Sequence, residues 1–178
     1  MPIVHIVHRR TGAATLARRF PGVPVFDVTS RGPHPKLSPF YPHGGYPVPG
    51  APGVLAESVE GVWQGLKVFE REGPDHTHFA KKSGPRKRGP SKARGGVRGH
   101  RLGDRLVGYV EARQQIYLPL YWRQLTVCAS EEVAALAALP ELVLLDYGTN
   151  GDVHNTGSPL SHAALIGRFL NGDWPEQK

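Results

Sequence analysis

The sequence predicts an α+β protein, a single mainly helical domain with a few short strands. Apolar residues recur at helical spacing in residues 57–69 and 102–118, the second with Leu102, Leu106, Tyr109, Val110, Ile116 and Tyr117 in one stripe. Short β-branched or aliphatic runs stand near both ends, at residues 3–7, 23–28 and 142–147. The 22 glycines and 17 prolines among 178 residues break up the rest, so the elements are short and joined by irregular backbone. This length supports one sizeable core.

Taken in order, Ile3 to Val7 reads as a first strand running into His8, Arg9 and Arg10. Residues 11–20 read as a short helix stopped by Pro21 and Gly22, and residues 23–28 as a second strand. Prolines and glycines recur too often in residues 33–53 for regular structure. Leu37, Phe40, Tyr41, Tyr46 and Val48 make that stretch too apolar for a free linker, which predicts an ordered loop packed on the core. Helices follow at residues 57–69 and 102–118, the latter ended by Pro119. Arg113 projects into the apolar stripe of that second helix. A guanidinium held there needs an anionic partner or a route to the surface. Ser130, followed by Glu131 and Glu132, caps a short alanine-rich helix stopped by Pro140. After the strand at 142–147 and a turn-rich stretch, Ser158 and Pro159 have the residue types to start a last helix through Leu170.

The net charge of +7 is local. Residues 74–105 hold ten Lys or Arg against Asp75 and Asp104, a balance of +8 that leaves −1 for the remaining chain. Within that segment residues 83–96 contain no large apolar side chain, so a mobile basic loop is expected over about 74–100. Such a segment can neutralise nucleic-acid phosphates, clamp a phosphorylated small molecule, or only solubilise the chain. The absence of interleaved aromatics argues against base stacking. A single cysteine, Cys128, leaves no internal disulfide and suits a reducing compartment. No apolar run approaches membrane-spanning length, so a cytoplasmic, soluble protein is expected. No histidine or cysteine spacing matches a metal site, and no Walker or Rossmann glycine pattern is present.

Two patterns carry possible chemistry. On the helix at residues 57–69, Val59, Val62, Trp63, Leu66 and Phe69 form the apolar stripe, while Glu60, Gln64 and Lys67 fall one turn apart beside Trp63. The row is either a solvated surface or the wall of a pocket. Asp152, Val153, His154, Asn155, Thr156 and Gly157 form a polar turn after a strand, which either only turns the chain or presents Asp152 to a cleft.

Three islands of sequence resemble the NADAR (YbiA-like) family of N-glycosidases. They are Leu37, Ser38, Pro39, Phe40, Tyr41 and Pro42, then Glu60 through Lys67, then Asp152 before a Gly-rich turn and a Leu-rich last helix. Glu60, Gln64 and Lys67 match the family's Glu-His-x-Phe-Gln-x-x-Lys helix with Trp63 at the aromatic place, and Ser38, Phe40 and Tyr41 match its loop. Gly61 stands where the family has histidine, and His154 and Asn155 stand near its Trp-Gly. The resemblance implies a YbiA-like fold and hydrolysis of the N-glycosidic bond of a phosphoribosyl or ADP-ribosyl compound, with no metal or cofactor. Glu60 is then the catalytic carboxylate and Asp152 the second. Ser38, Phe40 and Gln64 belong to the substrate site, Trp63 or Tyr41 stacks on the base, and Lys67, Arg31 and Arg113 hold the phosphate. The basic loop closes over the ligand. The substrate is a free or macromolecule-linked ribosyl phosphate, with no membrane partner and the oligomeric state open. Two other readings stand beside it: a nucleic-acid-binding protein acting through residues 81–105, and a binder of ADP-ribose that does not cleave it.

Overall fold

Leu142, Val143, Leu144 and Leu145 are all buried, as expected of a strand covered on both faces. The computed structural model describes residues 1–83 and 87–175 and places that run at the centre of a sheet. The regular elements, in chain order, are β1 (Ile3–His8), α1 (Ala13–Arg19), β2 (Val25–Asp27), β3 (Tyr46–Pro47), β4 (Leu55–Ala56), α2 (Val59–Leu66), β5 (Lys67–Phe69), β6 (Val97–Leu102), β7 (Arg105–Val107), α3 (Tyr109–Ala112), α4 (Leu118–Arg123), α5 (Ser130–Ala137), β8 (Glu141–Asp146) and α6 (His162–Leu170). The fold class is α+β. The contacts form two compact units, Met1–Ser38 with Leu125–Pro175, and Pro39–Gln124.

In the first unit β1, β8 and β2 form a parallel sheet in the order β1-β8-β2. Side chains alternate across it. Val7, Val143 and Leu145 pack with Leu16 of α1, and Phe20 and Val23 close that cluster. The other face meets α6, where a Cβ on Gly167 would stand 3.3 Å from the Val4 and Ile6 side chains, a tight contact that favours glycine. β8 therefore has helices on both sides, which accounts for its unbroken apolar sequence. At its end the buried Asp146 carboxylate accepts a hydrogen bond from Ser161 Oγ at 2.8 Å and pairs with His162 Nδ1 at 3.0 Å. His162 Nε2 lies 2.8 Å from the Val28 carbonyl, so one cluster joins the ends of β8 and β2 to the start of α6. Ser161, not the expected Ser158, caps this helix, its Oγ accepting from Ala164 N at 3.1 Å. The partners on Asp146 settle the choice.

The second unit holds the β3-β4 hairpin, the antiparallel sheet β5-β6-β7 and a helical run. Two expectations change here. The helix predicted over residues 57–69 stops at Leu66, and Lys67–Phe69 turns into β5, paired with β6 from His100 to Val97. The apolar spacing could not distinguish these outcomes at Phe69, which belongs to the predicted helical stripe and is equally buried in the strand. The helix predicted from residue 102 starts at Tyr109, since Leu102 and Arg105 pair across the β6-β7 turn. Pro119 does not end it. A wider π-type turn at Arg113–Tyr117 precedes Pro119, which sits in the first turn of α4. Proline is tolerated in a first helical turn, where its missing N–H costs no regular helical hydrogen bond.

Of the basic segment, residues 84–86 lie outside the described residues. Beyond them Arg88 is buried, Gly95 N donates to Ser91 O at 2.8 Å, and Val97 begins β6. No helix of the described residues is long and apolar enough to cross a membrane.

Candidate functional site

The predicted row on α2 is assembled and buried. Ser58 caps the helix, its Oγ accepting from Gly61 N at 3.0 Å, and the Glu60 N–H donates to Pro39 O at 2.9 Å, which ties the preceding loop to the first turn. Glu60, Gln64 and Lys67 are only 7%, 2% and 9% exposed, so they are not a solvated surface row. Gln64 Nε2 donates to Glu60 Oε2 at 2.9 Å, and Lys67 Nζ donates to Gln64 Oε1 at 3.0 Å. Lys67 Nζ also donates to the Arg88 carbonyl at 3.0 Å, while the Arg88 N–H donates to Gln64 Oε1 at 2.8 Å. The chain of bonds thus runs carboxylate, amide, ammonium. Burial pushes the Lys67 ammonium below its ordinary value, Glu60 opposes that, and the Arg88 and Lys87 charges add to it.

Trp63 lies between Glu60 and Gln64 in sequence and is 7% exposed. The His100 ring lies against it at a 33° tilt with centroids 3.7 Å apart, and Tyr109 and Tyr117 meet it edge-on at 5.7 and 5.5 Å. One indole face is therefore covered by protein. His100 is wholly buried, and neither ring nitrogen has a hydrogen-bond partner among the described residues. Burial, with the Lys67 charge nearby, lowers its pKa to about 3, so the ring is neutral at any ordinary pH. Arg113 is 1% exposed, its guanidinium 4.7 Å over the Tyr109 ring. Tyr41 is half-buried with its ring 4.6 Å from His43, and Phe40 faces the Lys87 ammonium at 5.9 Å.

Gly61 and Gly65, one turn apart, let residues 75–79 lie close against α2. A Cβ on Gly61 would stand 2.9 Å from the His78 carbonyl oxygen, and one on Gly65 would collide with the Phe79 ring. A histidine at position 61 does not fit without moving that turn.

The remaining predicted site residues belong to the other unit. Arg31 is exposed in the turn closed by Gly32 N to Thr29 O at 3.0 Å, and Ser38 is fully buried, its N–H on Pro35 O at 2.9 Å. Asp152 is exposed, and its Oδ1 accepts from His154 N at 2.9 Å, the bond that makes a tight polar turn. Among the described residues no group of three or more His, Cys, Asp and Glu side chains converges as a metal site.

Arg88 and His100 are residues of this cluster that sequence reasoning missed. Arg88 sits in a run of cations with no apolar neighbour, so nothing local signals its burial. His100 lies on β6 between the buried Gly99 and the half-buried Arg101, with Arg98 exposed two residues before it, so no alternation along the strand signals its burial.

The molecule is thus an α+β protein whose second unit buries a linked carboxylate and amide on α2 and an ammonium at its C-terminal end, beside an aromatic cluster. It belongs to the family of unknown function DUF6939, whose family model matches residues 8–166. No curated protein and no solved structure matches the chain.

Proposed function

We propose that the protein is a hydrolase that cleaves the N-glycosidic bond between a 5′-phosphorylated ribose, as in a phosphoribosyl or ADP-ribosyl compound, and a base or amine. The observation that carries the proposal is the buried Glu60 carboxylate held at Oε2 by Gln64, with Lys67 completing the row. These are the positions at which the sequence resembles the NADAR helix motif, which supports the reading. As the C1′–N bond breaks, its electron pair leaves with the nitrogen and C1′ takes on oxocarbenium character. A carboxylate fixed by a hydrogen bond stabilises that charge and accepts a proton from water as the water oxygen bonds to C1′. The proton is then passed to the departing nitrogen. Lys67 and Arg113 supply cationic charge for the phosphate from the same unit, and Tyr41 is the half-buried ring available to stack on the base.

Glu60→Gln keeps size and hydrogen-bonding capacity but removes the negative charge. It is expected to lower turnover of phosphoribosyl-amine or ADP-ribosylated substrates by about 10²–10⁴-fold with an unchanged melting temperature. Full hydrolytic activity in this variant would end the assignment. A second reading is favoured by the exposure of Lys87, Lys92, Arg98 and Arg105 in the same unit, which suits contact with nucleic-acid phosphates.

A further inference from the structure

Arg88 is only 4% exposed, while its neighbour Lys87 is exposed. Its guanidinium spans four acceptors. Nη1 donates to Gln64 O at 3.0 Å and Lys67 O at 2.9 Å, the carbonyls left at the end of α2, and Nη2 donates to Gly73 O at 2.9 Å and to the Glu72 carboxylate. Glu72 in turn accepts from Arg94 Nε at 2.8 Å. These bonds pin the main chain of residue 88, and that main chain does the rest. Its N–H reaches Gln64 Oε1 at 2.8 Å and its carbonyl receives the Lys67 ammonium at 3.0 Å.

The two ends of a glutamine amide are chemically opposite, one accepting and one donating. With the Arg88 N–H and the Lys67 ammonium both on Oε1, the flipped amide would set donors against donors. Gln64 must therefore direct Nε2 at Glu60 Oε2, where it stands at 2.9 Å. Resting on the Glu60 reading above, we propose that Arg88 is a positioning residue of this site. It anchors the basic segment at the end of α2 and, through Gln64, fixes the orientation of the Glu60 carboxylate. The segment that carries the charge is thereby coupled to the carboxylate.

The test is a double-mutant cycle of Arg88→Ala and Gln64→Met on the full-length protein. It is read by kcat and KM on an ADP-ribosylated substrate and by the side-chain amide proton resonances of Gln64. Arg88→Ala is expected to lower kcat by about one to two orders of magnitude with KM changed less than about threefold. The Gln64 amide protons move to the shifts of a free side chain. In the Gln64→Met background Arg88→Ala has little further effect on kcat, because the coupling runs through the missing amide. Equal losses in both backgrounds overturn the proposal, as does a Gln64 amide unchanged by Arg88→Ala. If Arg88→Ala does not fold, Arg88→Lys keeps the charge but loses the four-acceptor fork and is expected to free the Gln64 amide likewise. Wild-type behaviour of that variant overturns the proposal too. If the wild-type protein turns over no ribosyl substrate, the Glu60 reading falls and the Gln64 resonances alone decide the role of Arg88.

Discussion

Asp146 shows how much one buried side chain can organise. Burial raises its carboxyl pKa, but the hydrogen bond and charge of His162, the Ser161 hydroxyl and the Tyr147 N–H outweigh that and hold it below the ordinary carboxylate value. A depressed carboxyl contributes stability that is present above its unfolded pKa and lost as pH falls through the folded one. Asp146→Asn, which removes the acceptor charge shared by Ser161 and His162, is expected to cost about 1–3 kcal/mol near neutral pH. Urea midpoints should show that cost shrinking as pH falls below the ordinary carboxylate range. A difference between variant and wild type that stays constant into acid would remove this account. At this scale the Glu60, Gln64 and Lys67 row is legible in the sequence, because residues three and four apart on a helix must be neighbours. The burial of Arg88 and His100 is not, since a polar residue reveals its partners only when distant chain is brought to it.

Elements are legible where one periodicity dominates. β1, α1, β8 and α5 lie within a few residues of their expected places, α1 and α5 each ending just before a proline, but Ser130 is the first residue of α5 and not its cap, which is Ala129 with no side-chain hydrogen bond. The failures share a cause. Residues 67–69 and 102–107 satisfy either periodicity, and strand pairing between distant segments chose the β form over local helix spacing. Proline in a helix interior costs about 3 kcal/mol, which makes Pro119 a terminator by local pattern, yet it follows a π-type turn and lies in the first turn of α4, where proline is tolerated. Pro119→Ala is therefore expected to be neutral or to destabilise by up to about 1 kcal/mol, through the greater freedom of the unfolded chain. A gain near 3 kcal/mol in chemical denaturation would mean that proline strains the run.

For the whole molecule, composition alone locates the charge, since the excess of +8 lies in residues 74–105. What matters for a partner is the part that reaches solvent. Lys87, Lys92 and Arg98 are exposed, whereas Arg88 is bound internally. If the exposed cations meet nucleic acid, reversing these three to Glu should flatten the dependence of log affinity on log salt by about two to three, at roughly 0.7–0.9 per phosphate contact. Anisotropy of a labelled oligonucleotide reads this directly, and undetectable binding by the wild-type protein would exclude that partner. The sequence by itself determined the α+β class, the buried apolar strand, the site helix with Glu60 and Gln64, and the local basic charge. Each follows from periodicity or composition, which act within one segment. Only the tertiary structure decided that the site row is buried, that α2 yields to a strand at Lys67, and that one arginine of the basic segment reaches back to the Glu60 helix. Those outcomes depend on hydrogen-bond partners far apart in the chain, as Arg88 and Gln64 are, and no local pattern encodes which of them will meet.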